Sequence, residues 1–175
     1  MIWFSIDDNG NNIVIVSNKS CLSTILYRQR FAVLFKQLGF QSGDCMYAMT
    51  GNSNYIFIAS LAIWRLGGSV ALGRPDSVDD IADQINESKP SIILVDLTQG
   101  SMVLKAIRVS THATFNSRFL SIGYLNDRCH NILNLIRNID INFVPEISHP
   151  VNPLIVHWEK GRILLELYKY WQVTK

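Results

Sequence analysis

Ser91-Ile92-Ile93-Leu94-Val95 is an unbroken apolar run set between Pro90 and Asp96. A strand with one face in water alternates apolar and polar side chains. A run with no alternation fits a strand covered on both faces, the situation of an interior strand in a parallel sheet. The residues before it supply the helix that such a sheet requires. Ser77 to Ser88 carries Val78, Ile81, Ala82 and Ile85 at helical spacing on one face and Asp79, Asp80, Asp83 and Glu87 on the other. Its acids gather in the first turn, where the helix dipole favours them, and Pro90 ends it.

Further back the alternation repeats. Ser69 to Leu72 reads as a short strand broken by Gly73-Arg74-Pro75. Tyr55 to Leu66 is apolar almost all round and is expected to be a helix buried on most sides. Gly51-Asn52-Ser53-Asn54 offers caps for its start, and Gly67-Gly68 stops it. Cys45 to Met49 reads as a strand leaving the turn Phe40-Gln41-Ser42-Gly43-Asp44. Ser20 to Leu38 is mostly helical in spacing, with a period that drifts mid-segment, and Gly39 fits its C-terminal cap. Ile13 to Val16 reads as a strand after a polar turn.

Downstream, Gln99 to Arg108 and Asn126 to Asn138 are expected helices, and Arg118 to Ile122 and Leu154 to Trp158 are expected strands. Asn138 to Asn152 is loop-like, and Ile163 to Trp171 forms a terminal amphipathic segment. Strands alternating with crossovers of helical length imply an α/β fold: a three-layer, doubly wound, mostly parallel sheet with helices on both faces. No internal repeat or linker divides the 175 residues, which read as a single domain or one piece of a larger one, with 159–175 as a divergent C-terminal tail.

Composition excludes several classes. At 48% hydrophobic and 17% charged the chain is not of the disordered type. A net charge of +2 with scattered Lys and Arg gives no patch for nucleic acid. The longest apolar stretch is too short to cross a bilayer. Met1 to Asn12 has no basic region of a signal peptide, and the chain ends without a peroxisomal tripeptide, so an intracellular, cytoplasmic location is expected. Cys21, Cys45 and Cys129 have no zinc-like spacing and read as reduced thiols. His112, His130, His149 and His157 share no metal-ligand spacing. The adjacent pair Cys129-His130 points in different directions on any regular element. Asp79-Asp80-Asp83 fits a solvated helix face better than a metal cluster. No catalytic and no metal-ligating residue is assigned.

The ordered succession from Arg30 to Val95 resembles the N-terminal region of the adenylate-forming superfamily, the AMP-dependent synthetases and ligases. These include acyl-CoA synthetases, 4-coumarate–CoA ligase-like proteins and luciferases. The pieces that carry the likeness are Arg30-Phe31-Ala32 with Leu38-Gly39, the turn Gly43-Asp44, Asn52-Ser53 with Tyr55, Leu61-Ala62 through Gly67-Gly68 to Val70, and Asp79 to Lys89 with Ser91 to Val95. The likeness extends over about Ser20 to Trp158.

The resemblance implies an ATP-dependent ligase that activates a small carboxylic or fatty acid as its adenylate and passes it to coenzyme A, with Mg²⁺ as a helper. Such a family places a Ser/Thr/Gly-rich phosphate loop ending in Pro-Lys-Gly after a strand similar to Pro153 to Trp158. Here Glu159-Lys160-Gly161-Arg162 follows instead. Lys160 and Gly161 resemble the tail of that loop and are the candidate cofactor-binding residues. Glu159 to Arg162 also fit an ordinary charged turn before a terminal helix, the commoner origin of such residues at the end of an element. Either way the glycine-rich cradle is absent from this stretch, so the expectation is a chain that binds no ATP, Mg²⁺ or coenzyme A and is inactive alone, of pseudoenzyme type. The alternatives are a non-catalytic binding or regulatory module, associating through its C-terminal apolar segment, and an incomplete gene product of a full-length ligase.

Overall fold

The structure is a computed structural model and describes residues 3–6, 12–15, 20–51, 53–74, 77–111, 117–123, 129–139, 155–159 and 162–166. Strands β1 (Trp3–Ile6) and β2 (Asn12–Ile15) pair antiparallel in a small sheet of their own, with Trp3 opposite Ile15. Only the second was expected. The main sheet is built from β3 (Cys45–Met49), β4 (Ser69–Leu72), β5 (Ile92–Asp96), β6 (Arg118–Ile122), β7 (His130–Asn131), β8 (Ile155–Glu159) and β9 (Arg162–Glu166), in the order β7-β6-β5-β3-β4-β8-β9. All its pairings are parallel except that of β9 with β8.

Helices α1 (Ser20–Gln37), α2 (Ser53–Arg65), α3 (Val78–Ser88), α4 (Gly100–Val109) and α5 (Ile132–Arg137) make the outer layers. The pleat of β3 distributes them. Met46 and Ala48 share one core with Phe31 and Phe35 of α1, Ala59 and Ile63 of α2, and Ile132 and Ile136 of α5. Cys45, Tyr47 and Met49, on the alternate positions, share a second core with Ile81 and Ile85 of α3 and Val103 and Ala106 of α4. Successive strand residues point to opposite faces, so a strand with no polar position is the one that must be covered twice. Ile92 and Leu94 join the first core and Ile93 and Val95 the second, as their unbroken run implies. The expected three-layer α/β architecture is therefore present.

The drifting period of α1 has a physical cause. Residues 31 to 35 are all buried, because α1 packs against both α2 and α5 as well as the sheet. A helix covered on several sides has no polar face to set a period. In α3 the Ser77 side chain accepts the Asp80 N–H while Asp80 reaches back to the Ser77 N–H, a capping box. Asp79, Asp80 and Asp83 are solvent-exposed there. Lys89 adopts the left-handed conformation (φ 45°) and donates its N–H to the Ile85 carbonyl, closing the helix before Pro90.

Two expectations need correction. Of the helix expected over Asn126 to Asn138, residues 126–128 lie outside the described residues and the described helix is Ile132–Arg137, because His130 and Asn131 pair with β6 as β7, and the Asn131 side chain then caps α5 by accepting the Leu133 N–H. The segment opening at Ile163 does not begin a helix. Residues 162–166 form β9, with Glu159 opposite Arg162 and Ile155 opposite Glu166. A charged-apolar-charged run of five residues satisfies a strand as well as a helix, and a partner strand two residues away decides between them.

Candidate functional site

In an open doubly wound sheet the ligand crevice lies at the carboxyl ends of two neighbouring strands whose following helices leave to opposite faces. β3 and β5 are such a pair, as are β3 and β4. The chain leaves β3 into α2, on the first core's face, and leaves β5 into α4, on the second.

Asp96, the last residue of β5, occupies this position. Its Oδ2 accepts the Thr50 hydroxyl at 2.8 Å and the Gly51 backbone N–H at 2.7 Å. Its Oδ1 accepts the Thr98 N–H at 2.9 Å, the Thr98 hydroxyl at 2.6 Å and the Gln99 N–H at 3.0 Å. Five donors thus fill two carboxylate oxygens whose combined capacity is about four lone pairs. Partial burial works against the charged form, but the hydrogen bonds from Thr98, Thr50, Gln99 and Gly51 outweigh it and bring the pKa down to about 2. A carboxylate held this way is ionised at neutral pH and has no free lone pair. It is unsuited to general-base work or to ligating a cation, and suited to holding two loops together.

A second polar cluster sits at the same edge, beside β4. The Tyr47 hydroxyl, buried under α3, donates to Gln84 Oε1 at 2.9 Å, and the Arg74 backbone N–H reaches the same oxygen at 3.3 Å. Gly73 donates its N–H to the Ala48 carbonyl at 2.8 Å. A Cβ on Gly73 would overlap the Tyr47 ring and hydroxyl, so only glycine fits where β4 ends.

Lys160 and Gly161, the candidate cofactor-binding pair, fall between the paired residues Glu159 and Arg162 and lie outside the described residues. The strand before them, β8, runs parallel to β4 with Leu72 opposite His157, so its carboxyl end shares the edge that holds Gly73 and Arg74. His130 is exposed on β7 while its neighbour Cys129 is buried, which separates that pair. His112 and His149 lie outside the described residues. Among the described residues no group of three His, Cys, Asp or Glu could hold a metal ion, and no helix is long and apolar enough to cross a membrane. Sequence reasoning passed over Asp96. The signal was present in Asp96-Leu97-Thr98 at a strand end, since Asp commonly accepts the N–H two residues on.

No protein-family model and no curated protein matches the chain. Solved structures do. Brucella canis acyl-CoA synthetase superposes with a TM-score of 0.68 at 11% identity, over 93% of this chain and 29% of its own. The inhibitor-bound N-terminal domain of FACL13 from Mycobacterium tuberculosis gives 0.67 at 13%, over 87% of this chain and 35% of its own. ATP-bound MatB from Rhodopseudomonas palustris gives 0.64 at 17%, over 89% and 29%. The fold is therefore that of a part of an acyl-CoA synthetase. This chain spans about a third of the length of those proteins, and at such low identity the likeness is one of fold.

The family resemblance implies ATP, Mg²⁺ and coenzyme A. The Asp96 carboxylate at the crevice, saturated by donors of its own chain, leaves no lone pair for Mg²⁺. No chemical step is routed through those groups.

Proposed function

We propose that this chain is a scaffold unit of an acyl-CoA synthetase-like, adenylate-forming domain and does not by itself activate a carboxylate. The observation that carries the reading is the fully hydrogen-bonded Asp96 carboxylate at the ends of β3 and β5. There, among the described residues, Asp96, Thr50 and Thr98 are spent on joining two loops. Catalysis of acyl adenylation rests on positioning phosphates and spreading their charge. The stretch Glu159-Lys160-Gly161-Arg162, where β8 ends and β9 begins, supplies no glycine-rich cradle for that. A carboxylic or fatty acid, ATP and coenzyme A would be ligands of a fuller domain. Isothermal titration of the chain with ATP and with AMP is expected to show no binding heat. Micromolar binding of either would overturn the proposal.

A non-catalytic binding role is favoured by one feature. β9 is paired through β8 alone among the described strands, and it carries Ile163, Leu164 and Leu165. An edge strand of this kind is a template for pairing with another chain. Concentration-dependent association in sedimentation would support this role, and a strictly monomeric chain would remove it.

A further inference from the structure

β9 (Arg162–Glu166) ends the main sheet on one side, next to β8 in the order β7-β6-β5-β3-β4-β8-β9. Among the described strands it is bonded on one side only, by its antiparallel pairing with β8. Alternate residues of a strand send their backbone N–H and C=O groups to alternate sides. The second row of groups on β9 is therefore a template for another strand. The opposite edge of the sheet is β7, whose two residues, His130 and Asn131, offer too little length for such a pairing.

The five residues of β9 read Arg-Ile-Leu-Leu-Glu, a cation at one end, an anion at the other and apolar residues between. That order is its own complement. Two copies laid antiparallel about Leu164 set Arg162 opposite the partner subunit's Glu166, and Glu166 opposite the partner subunit's Arg162. The same register sets Ile163 opposite the partner's Leu165 and Leu164 opposite the partner's Leu164. Opposite charges and apolar residues directly across a ladder attract, and like charges there repel. The backbone permits this register. Residues of one parity in β9 bond toward β8 and those of the other bond outward, so an antiparallel copy must match outward residues with outward residues. A two-fold axis through a residue meets that condition, and an axis between two residues does not. Of the permitted axes, only the one through Leu164 aligns the whole strand. A parallel copy in register would instead bring Arg162 beside the partner subunit's Arg162. Charges on an edge strand commonly bar other strands. Here they bar a parallel copy and match an antiparallel one.

We infer that β9 is the contact of a symmetric homodimer, in which two copies join edge to edge about Leu164 and their main sheets become one. The dimer rests on the edge-strand role proposed above, with a second copy of this chain as the occupant.

The test is sedimentation velocity of the full chain over a range of concentrations at low ionic strength, with charge reversals at the two ends of β9. The wild type is expected to dimerise as its concentration rises. Arg162→Glu and Glu166→Arg each set like charges opposite one another at both ends of the pair, and each is expected to weaken self-association about tenfold. An equimolar mixture of the two single variants has opposite charges at both ends again, and so does the double variant Arg162→Glu/Glu166→Arg. Both are expected to return to the wild-type level of dimer, which also shows that the variants fold. A strictly monomeric wild type overturns the inference and the edge-strand role together. Association that the single reversals leave unchanged, or that neither the mixture nor the double variant restores, overturns the inference and leaves that role standing.

Discussion

Asp96 Oδ2 accepts the backbone N–H of Gly51 at 2.7 Å, across 45 residues of sequence. That bond joins the ends of β3 and β5, neighbouring strands whose following helices lie on opposite faces of the sheet. Asp96→Ala removes this bond and four others together. Hydrogen bonds to a charged group are each worth about 1.5–3 kcal/mol, but water partly replaces them at a half-exposed site, so a loss of about 2–3 kcal/mol is expected in urea denaturation. Because Thr50 and Asp96 touch, a double-mutant cycle with Thr50→Val should show coupling on the order of 1 kcal/mol. Additive effects would mean that the loops are held some other way.

The same carboxylate makes an acid-dependent contribution. Its pKa in the folded chain is lowered from 3.8 to about 2. As pH falls through the ordinary carboxylate range, the unfolded chain takes up the proton first, which favours unfolding. The contribution is fully present above about pH 5 and is lost on descending toward pH 2. Urea midpoints measured from neutral pH downward should therefore fall less steeply for Asp96→Asn than for the wild type. Parallel curves would exclude Asp96 as a source of the acid sensitivity.

Gly73→Ala tests the packing where β4 ends. The added methyl overlaps both the Tyr47 hydroxyl and its ring carbons, and Tyr47 is pinned by Gln84. Overpacking of this kind costs about 1–3 kcal/mol. Tyr47→Phe should relieve only part of that cost in the double variant, since the ring itself still meets the methyl. Complete rescue would show that the hydroxyl alone is the obstacle.

Cys45 should be chemically silent in the native state. Burial in the core under α3 and α4 pushes its thiol up to about 11, above its ordinary 9.0. At pH 8 only about one molecule in a thousand carries the reactive thiolate. Alkylation of Cys45, followed by mass spectrometry, should proceed at the rate of global unfolding and accelerate with urea. Labelling that is fast without denaturant would contradict its burial.

The sequence by itself determined the layers. The unbroken Ile92 to Val95 run required cover on both faces, the Ser77 and Asp80 spacing fixed the start of α3, and Gly39 and Gly67 marked where α1 and α2 stop. These features are local: periodicity, capping and positive φ are set by residues within one or two turns of each other. Tertiary structure alone decided what depends on distant partners. The pairing of Trp3–Ile6 with β2, the capture of His130 and Asn131 by β6, and the conversion of 162–166 into an edge strand each needed a neighbour to accept their backbone hydrogen bonds. The candidate site belongs to the second group. Asp96 looked like the polar end of a strand, and only the fold, by bringing Thr50 and Gly51 beside it, turned that carboxylate into the tie across the crevice.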